Sequence, residues 1–224
     1  IGTDRLSRYV DLFGFGRRVS PDFPGETPGI VWSADSWTDS ALASVSMGYQ
    51  VGVTALQVVA AVSTVANHGQ FVEPRVVRAA NRGAVRQTVK PKTLRRVVSE
   101  STAAAMTAIM EGVVEDGTAK LAAVPGYTVA GKTGTGQKAL PEGGYGNSYV
   151  ASFAGYAPVE DPAVAVVVML DDPRPIWGGA TAAPTFSAIA DFTLRKLGVP
   201  PSTNARRAAA QREAAVEGVE DPHD

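Results

Sequence analysis

The sequence predicts an α+β fold, an antiparallel sheet with packed helices, and three observations predict it. Hydrophobic residues make up 45% of 224 residues, and a domain of that length buries roughly 70% of its unfolded surface. Helical periodicity occupies the first half of the chain and returns near its end. Between them, after Pro125-Gly126, the period becomes that of strands, with turns and no helix separating them.

The elements follow in order. Leu6, Val10 and Phe13 fall at i, i+4 and i+7, a short amphipathic helix that Gly14 and Gly16 stop. Pro21, Pro24 and Pro28 with Gly25 and Gly29 make residues 17–36 an irregular surface excursion. Thr54 and Gln57 form a capping box, and Leu56, Val59, Ala60 and Ser63 continue one helix face to about His68-Gly69. A third helix runs from Ser99 to about Asp116, with Met106, Ile109, Met110 and Val113 as its apolar stripe and Gly117 just past its end. Residues 127–138 then read as a strand, 139–148 as a Pro/Gly loop and 149–157 as a second strand. After a turn at 158–162, the Val-rich run 163–171 predicts a third strand buried on both faces. The last helix has Pro184 near its first turn and Phe186, Ile189, Thr193 and Leu197 on one face, and Gly198, Pro200 and Pro201 end it. Residues 1–198 are thus expected to form the folded portion. Residues 199–224, Ala-rich and without an aromatic residue, are expected to form a polar, disordered tail, with a marginal Ala-rich helix as the alternative.

Composition excludes several functions. A formal charge of −1 provides no global basic field to recruit nucleic acid or anionic lipid. The absence of cysteine removes a disulfide framework, a thiolate metal site and a cysteine nucleophile. The longest aliphatic run, 163–170, is too short to span a bilayer. The chain begins Ile1-Gly2-Thr3, without Met or a signal segment, and is expected to be a piece of a longer protein.

One segment carries chemistry. Residues 126–133, Gly-Tyr-Thr-Val-Ala-Gly-Lys-Thr, satisfy the phosphate-loop pattern G-x-x-x-x-G-K-[ST]. A phosphate loop needs a flexible turn leading directly into a helix, whose first N–H groups meet the phosphates. Here the intervening residues prefer an extended chain, and Gly134-Thr135-Gly136-Gln137 with a Pro/Gly loop follows. The same residues fit better as Lys132-Thr133-Gly134-Thr135 on a strand. Strand alternation separates Lys132 from Thr133 and Thr135. Gly134 lets a peptide lie against the backbone as an added strand. An ammonium beside two hydroxyls can hold a carboxylate, and an edge N–H can serve an oxyanion. Lys-Thr-Gly is also a signature of penicillin-binding proteins and class A β-lactamases.

The blocks around it extend the match. They are Phe13-Gly14-Phe15-Gly16, Pro24-Gly25-Glu26, residues 48–57 (GYQVGVTALQ), 112–119 (GVVEDGTA), 129–138 (VAGKTGTGQK), 149–158 (YVASFAGYAP), and Gly178-Gly179 before 182–186 (AAPTF). In this order they resemble the C-terminal part of the transpeptidase domain of class B penicillin-binding proteins, closest to the cell-division type, over residues 1 to about 197. The resemblance implies a partial transpeptidase fold of the penicillin-binding-protein and serine β-lactamase kind. It implies acyl transfer, in which a serine attacks the penultimate D-Ala carbonyl of a peptidoglycan stem peptide and an amine on a neighbouring stem takes the acyl group. β-Lactams would trap the serine. Lys132 would support electrostatics and proton transfers at that serine, and Thr133 and Thr135 would bind the terminal carboxylate. Gly134 would be the close-approach residue. The Thr135 N–H would be an oxyanion donor, a role worth roughly 3–4 kcal/mol elsewhere. The resemblance also implies division-complex membrane proteins as partners, an N-terminal membrane anchor outside this chain, and a catalytic domain on the extracytoplasmic side. It implies no metal and no organic cofactor.

The sequence departs from the family where the nucleophile belongs. No Ser-x-x-Lys occurs: the residues three before Lys90, Lys92, Lys120, Lys132, Lys138 and Lys196 are Gln87, Val89, Gly117, Val129, Thr135 and Thr193. The one Ser-x-Asn, at 202–204, follows Lys-Thr-Gly instead of preceding it. Both motifs are expected upstream of Ile1, and the 224 residues taken alone are expected to be inactive. Ala55 replaces a family Pro, and His68 stands where the family often has Gly, near a helix C-terminus, as a capping or surface residue. Trp177 resembles an aromatic at the cleft rim, with plain packing as the alternative. A catalytically inactive module that binds stem peptide or division partners is the second reading, and a phosphate-loop nucleotide binder the remote third.

Overall fold

The structure, a computed structural model, describes residues 1–83 and 85–202, and the chain divides into two units. The first comprises residues 1–107 and 136–150 and the second residues 108–135 and 151 onward.

In the first unit, helix α1 (Thr3–Leu12) ends in a Schellman turn: Gly14 N–H donates to Asp11 O and Phe15 N–H to Val10 O, with Gly14 at φ 90°. The Pro/Gly excursion that follows is irregular, as expected, yet it is tied down by polar side chains. The Glu26 carboxylate, buried, accepts from Val19 N–H (2.6 Å) and Ser20 N–H (3.0 Å). Strand β1 (Ile30–Val31) pairs antiparallel with β2 (Val51–Gly52), and helix α2 (Asp39–Ser46) lies between them in sequence, capped by the Thr38 hydroxyl. Helix α3 (Ala55–Ala66) starts at the predicted capping box, with both of its hydrogen bonds formed. Gln57 does more than cap. Fully buried, it sends Nε2 to Arg17 O and Pro28 O, each at 2.8 Å, so one side chain closes the excursion onto the helix.

Strand β3 (Gln70–Val72) pairs with β6 (Thr93–Arg96), and β4 (Ala79–Arg82) with β5 (Val85–Thr88) in an exposed hairpin. Val19, Ala60, Phe71 and Val97 form the buried core, and Leu12, Phe13, Leu56 and Val98 pack against it. The Arg95 guanidinium covers the Phe71 ring at 4.3 Å and donates to Leu12 O, joining α1 to β6.

Helix α4 (Glu100–Glu115) and strands β7 (Ala130–Ala139) and β8 (Tyr145–Ala157) contribute residues to both units. In the first unit the β7–β8 tip is a five-residue loop, 140–144, half the predicted length, because β8 begins at Tyr145. Tyr145 packs edge-on against Tyr49 (4.9 Å), and its hydroxyl accepts from Gln50 N–H.

In the second unit the sheet order is β7-β8-β9, with β9 spanning Val164–Asp171. The short connections make it the antiparallel meander predicted. Helix α5 (Gly178–Lys196) packs against β9. Phe153 and Phe186, both fully buried, meet edge-to-face at 4.6 Å in a core completed by Val114, Val129, Val168 and Leu194.

Four expectations need correction. The buried stripe of α4 is Ala103, Met110 and Val114, while Met106 and Ile109 are exposed. That of α5 is Ala182, Ala183, Phe186, Ala190 and Leu194, while Ile189 and Leu197 are exposed. In both helices small alanines face the interior, because they allow closer approach than the larger residues that set the apparent stripe. Pro184 lies inside α5, which starts six residues earlier than a first-turn proline requires. Strand β9 is an edge strand on which only Val168 is buried; the doubly covered strand is β8, where residues 153–157 are buried without a break.

The chain beyond α5 packs as far as Ser202. Tyr127 donates its hydroxyl proton to Val199 O, and Ser202, buried, donates its N–H to Gly126 O. The remainder of the expected tail, 203–224, lies outside the described residues.

Candidate active site

Strand β7 begins beside a polar clasp. Thr128 Oγ1 donates to the Glu160 carboxylate, accepts from Val159 N–H at 2.9 Å and lies 3.1 Å from Ser202 Oγ. Burial works against the Glu160 charge, but the bonds from Thr128, Ser202 and nearby backbone N–H groups outweigh it and hold its carboxyl below the ordinary range. The clasp fixes the chain two residues before β7.

The strand then runs through the predicted residues. Lys132 is exposed, and Thr133, Gly134 and Thr135 are half-buried. Lys132 Nζ donates to Thr133 O at 2.8 Å and to Thr133 Oγ1 at 3.3 Å. Thr133 Oγ1 lies 3.0 Å from Thr118 Oγ1, on the segment after α4. Thr135 Oγ1 accepts the backbone N–H of Gly178, the first residue of α5, at 3.2 Å. Both threonine hydroxyls are therefore held from outside the strand.

Glycines make these approaches possible. A Cβ on Gly134 would stand 2.4 Å from Ser152 Oγ on the neighbouring β8. One on Gly178 would stand 2.3 Å from Ser152 O and 2.5 Å from Gly134 O, and one on Gly179 2.2 Å from Thr118 O. Since real Cβ contacts are never so short, the N-terminus of α5 rests directly on backbone only because residues 178 and 179 are glycine. Trp177 precedes them as the helix N-cap with its side chain 62% exposed, so no packing role occupies it within its unit.

The structure thus brings together Lys132, Thr133, Gly134 and Thr135, and adds Thr118 and Ser152. These two were legible only as members of the blocks 112–119 and 149–158, since neither carries a chemical signature alone. The phosphate-loop reading is overturned: the chain stays extended from Ala130 through Thr133 to Ala139, and no helix starts at Lys132-Thr133. Ser202 bonds to Gly126 and Thr128, away from Thr133 and Thr135 along the strand, and Thr203 and Asn204 lie outside the described residues. His68 caps nothing with its side chain; its carbonyl accepts from Arg96 Nη1, and its φ of 52° leads into Gly69. Among the described residues no group of three or more His, Asp or Glu is placed to hold a metal.

Residues 1–191 match the penicillin binding protein transpeptidase domain family. A probable peptidoglycan D,D-transpeptidase, PbpC of Pseudomonas aeruginosa, is 38% identical over 204 residues, covering 90% of this chain and 34% of the relative. The peptidoglycan D,D-transpeptidase FtsI of Escherichia coli K12 is 33% identical, covering 84% of this chain and 31% of the relative. The crystal structure of penicillin binding protein 3 from Mycobacterium tuberculosis complexed with ampicillin superposes with a TM-score of 0.82 at 34% identity, over 91% of this chain and 48% of that one. The chain spans about a third of the length of the two curated relatives, 34% and 31%.

Proposed function

Because the chain belongs to the penicillin-binding protein transpeptidase domain family, we propose that it forms the Lys-Thr-Gly wall of the active site of a division-type peptidoglycan D,D-transpeptidase. The observation that carries this reading is the strand Lys132-Thr133-Gly134-Thr135 with both hydroxyls held by groups outside the strand. In this reading a serine from a Ser-x-x-Lys segment beyond these 224 residues attacks the penultimate D-Ala carbonyl of a stem peptide. The serine–carbonyl bond forms, the C–N bond to the terminal D-Ala breaks, and that amine leaves with a proton. An amine on a neighbouring stem then attacks the acyl-enzyme, forms the cross-link and returns the serine to its free state.

The residues of this chain bind and orient. Thr133 and Thr135 donate their hydroxyl protons to the terminal carboxylate, and Thr135 N–H donates to the oxyanion. The Lys132 ammonium supports the electrostatics and proton transfers at the serine. Gly134 keeps the strand bare enough for the peptide to lie along it. The same site takes a β-lactam, whose carboxylate occupies the terminal-carboxylate position; the ampicillin complex of the M. tuberculosis relative supports this. The protein acts at the extracytoplasmic face of the bacterial plasma membrane, anchored by a segment outside this chain and working with division-complex membrane proteins. No described helix of this chain is long and apolar enough to cross a membrane.

The inactive-module reading finds less support, since Lys132, Thr133 and Thr135 keep their chemistry and Gly178-Gly179 keep the close approach that orients it. Labelling the full-length protein with fluorescent penicillin tests the proposal. A covalent adduct that withstands denaturation is expected, and Thr135→Val should slow its formation at least tenfold. A full-length protein that no penicillin labels would overturn it.

A further inference from the structure

Thr133 has two neighbours that bear on where its proton points. Lys132 Nζ, an ammonium that can only donate, reaches Thr133 Oγ1 at 3.3 Å. Thr118 Oγ1 stands on the same oxygen at 3.0 Å, and among the described residues its hydroxyl has no other hydrogen-bond partner. A threonine oxygen offers two lone pairs and one proton. If Thr118 donates, both lone pairs of Thr133 are filled and its proton faces outward. If Thr133 donates to Thr118, its proton is spent inside the protein and an anion loses one of its donors. The neighbouring Thr135 is already biased to donate, because Gly178 N–H fills one of its lone pairs.

We infer that Thr118 is a positioning residue: it donates its hydroxyl proton to Thr133 and so aims the Thr133 proton at the substrate carboxylate. This rests on the transpeptidase reading and extends it to a residue that does not touch substrate. The fold supports the role. Ala119, directly after Thr118, is fully buried, and its N–H donates to Val113 O of α4, which fixes the backbone at 118. Gly179 covers Thr118 O so closely that a side chain there would displace it. The pair Thr118–Thr133 is therefore held between the end of α4 and the start of α5. A carboxylate approaching along β7 meets two outward protons, one from Thr133 and one from Thr135, instead of one.

The test compares Thr118→Val and Thr118→Ser in the full-length protein, using a donor peptide ending in D-Ala-D-Ala and the same donor with its terminal carboxylate converted to an amide. Valine keeps the shape and removes the hydroxyl; serine keeps the hydroxyl. Losing one orienting hydrogen bond is expected to raise KM for the carboxylate donor about 5- to 10-fold with kcat nearly unchanged. The amide donor should be affected less than twofold, and serine should restore the carboxylate donor to within about twofold of wild type. Equal losses on both donors, failure of serine to rescue, or an unchanged KM in Thr118→Val would each overturn the inference. Failure of the transpeptidase reading is separable: wild-type protein would then not be acylated by penicillin, whatever residue 118 is.

Discussion

The two units are stabilised by different chemistry. In the second, fourteen buried residues among those described form one continuous core around Phe153 and Phe186, and alanines on α5 bring that helix onto the sheet. In the first, the buried core has four residues, and much of the work passes to polar side chains that reach backbone: Gln57 to Arg17 O and Pro28 O, Glu26 to Val19 and Ser20 N–H, Arg95 to Leu12 O, and Asp22 to Val76 and Val77 N–H. A segment rich in Pro and Gly cannot pair its own backbone, so the buried side chains of Gln57 and Glu26 do it instead. The second unit is therefore expected to be most sensitive to lost volume, and the first to lost polar groups.

The largest effect should come from volume lost in the second unit. Phe186 is fully buried and meets Phe153 edge-to-face. Phe186→Ala is expected to destabilise by about 3–5 kcal/mol, read by urea unfolding. The counterpart in the first unit is Gln57→Leu, which keeps the volume and removes the polar atoms. It strands Arg17 O, Pro28 O and the Thr54 N–H, and a loss of about 2–3 kcal/mol is expected. A neutral or stabilising Gln57→Leu would break the contrast, because the excursion would then be held by its apolar contacts. A smaller step is Thr54→Ala, which removes the cap acceptor for Gln57 N–H and leaves the other Gln57 bonds in place; about 1 kcal/mol is expected.

These residues also show what the sequence made legible. The capping box at Thr54 and Gln57 was readable because it depends on local spacing alone, and the Lys132–Thr135 strand because Tyr-Thr-Val-Ala before it prefers an extended chain. The second role of Gln57 was not readable, since its partners lie 29 and 40 positions away. The buried stripes of α4 and α5 are displaced from the positions of the large apolar residues, because close packing favours Ala103, Ala182, Ala183 and Ala190. Strands β4 and β5 gave no alternation because all but one of their eight residues face solvent, so no pattern separates two faces. The same limit applies at the site. Lys132, Thr133, Gly134 and Thr135 are adjacent in sequence and form one legible motif, while Thr118 and Gly178 reach the strand only through folding.

The smallest effect separates the units by charge. In the first unit the Asp22 carboxyl is lowered, chiefly by the Val76 N–H and then the Val77 N–H, against a desolvation that opposes it. Its contribution is present above its ordinary value and lost as pH falls through the folded value. In the second unit Glu111 is raised above its ordinary 4.5, first by burial and then by the Glu115 and Glu160 carboxylates. The sign reverses: the protonated form suits the fold, so the contribution of Glu111 is complete below 4.5 and is lost as pH rises through the folded value. Glu111→Gln, which keeps the shape without the charge, should therefore raise Tm at pH 7, and the gain should shrink toward zero as pH approaches 4, where wild-type Glu111 is itself neutral. Asp22→Asn should do the opposite, lowering Tm at pH 7 and converging with wild type in acid. If Glu111→Gln lowers Tm at pH 7, its carboxylate makes a favourable contact that outweighs burial and its two neighbours, and the second unit too depends on a polar group.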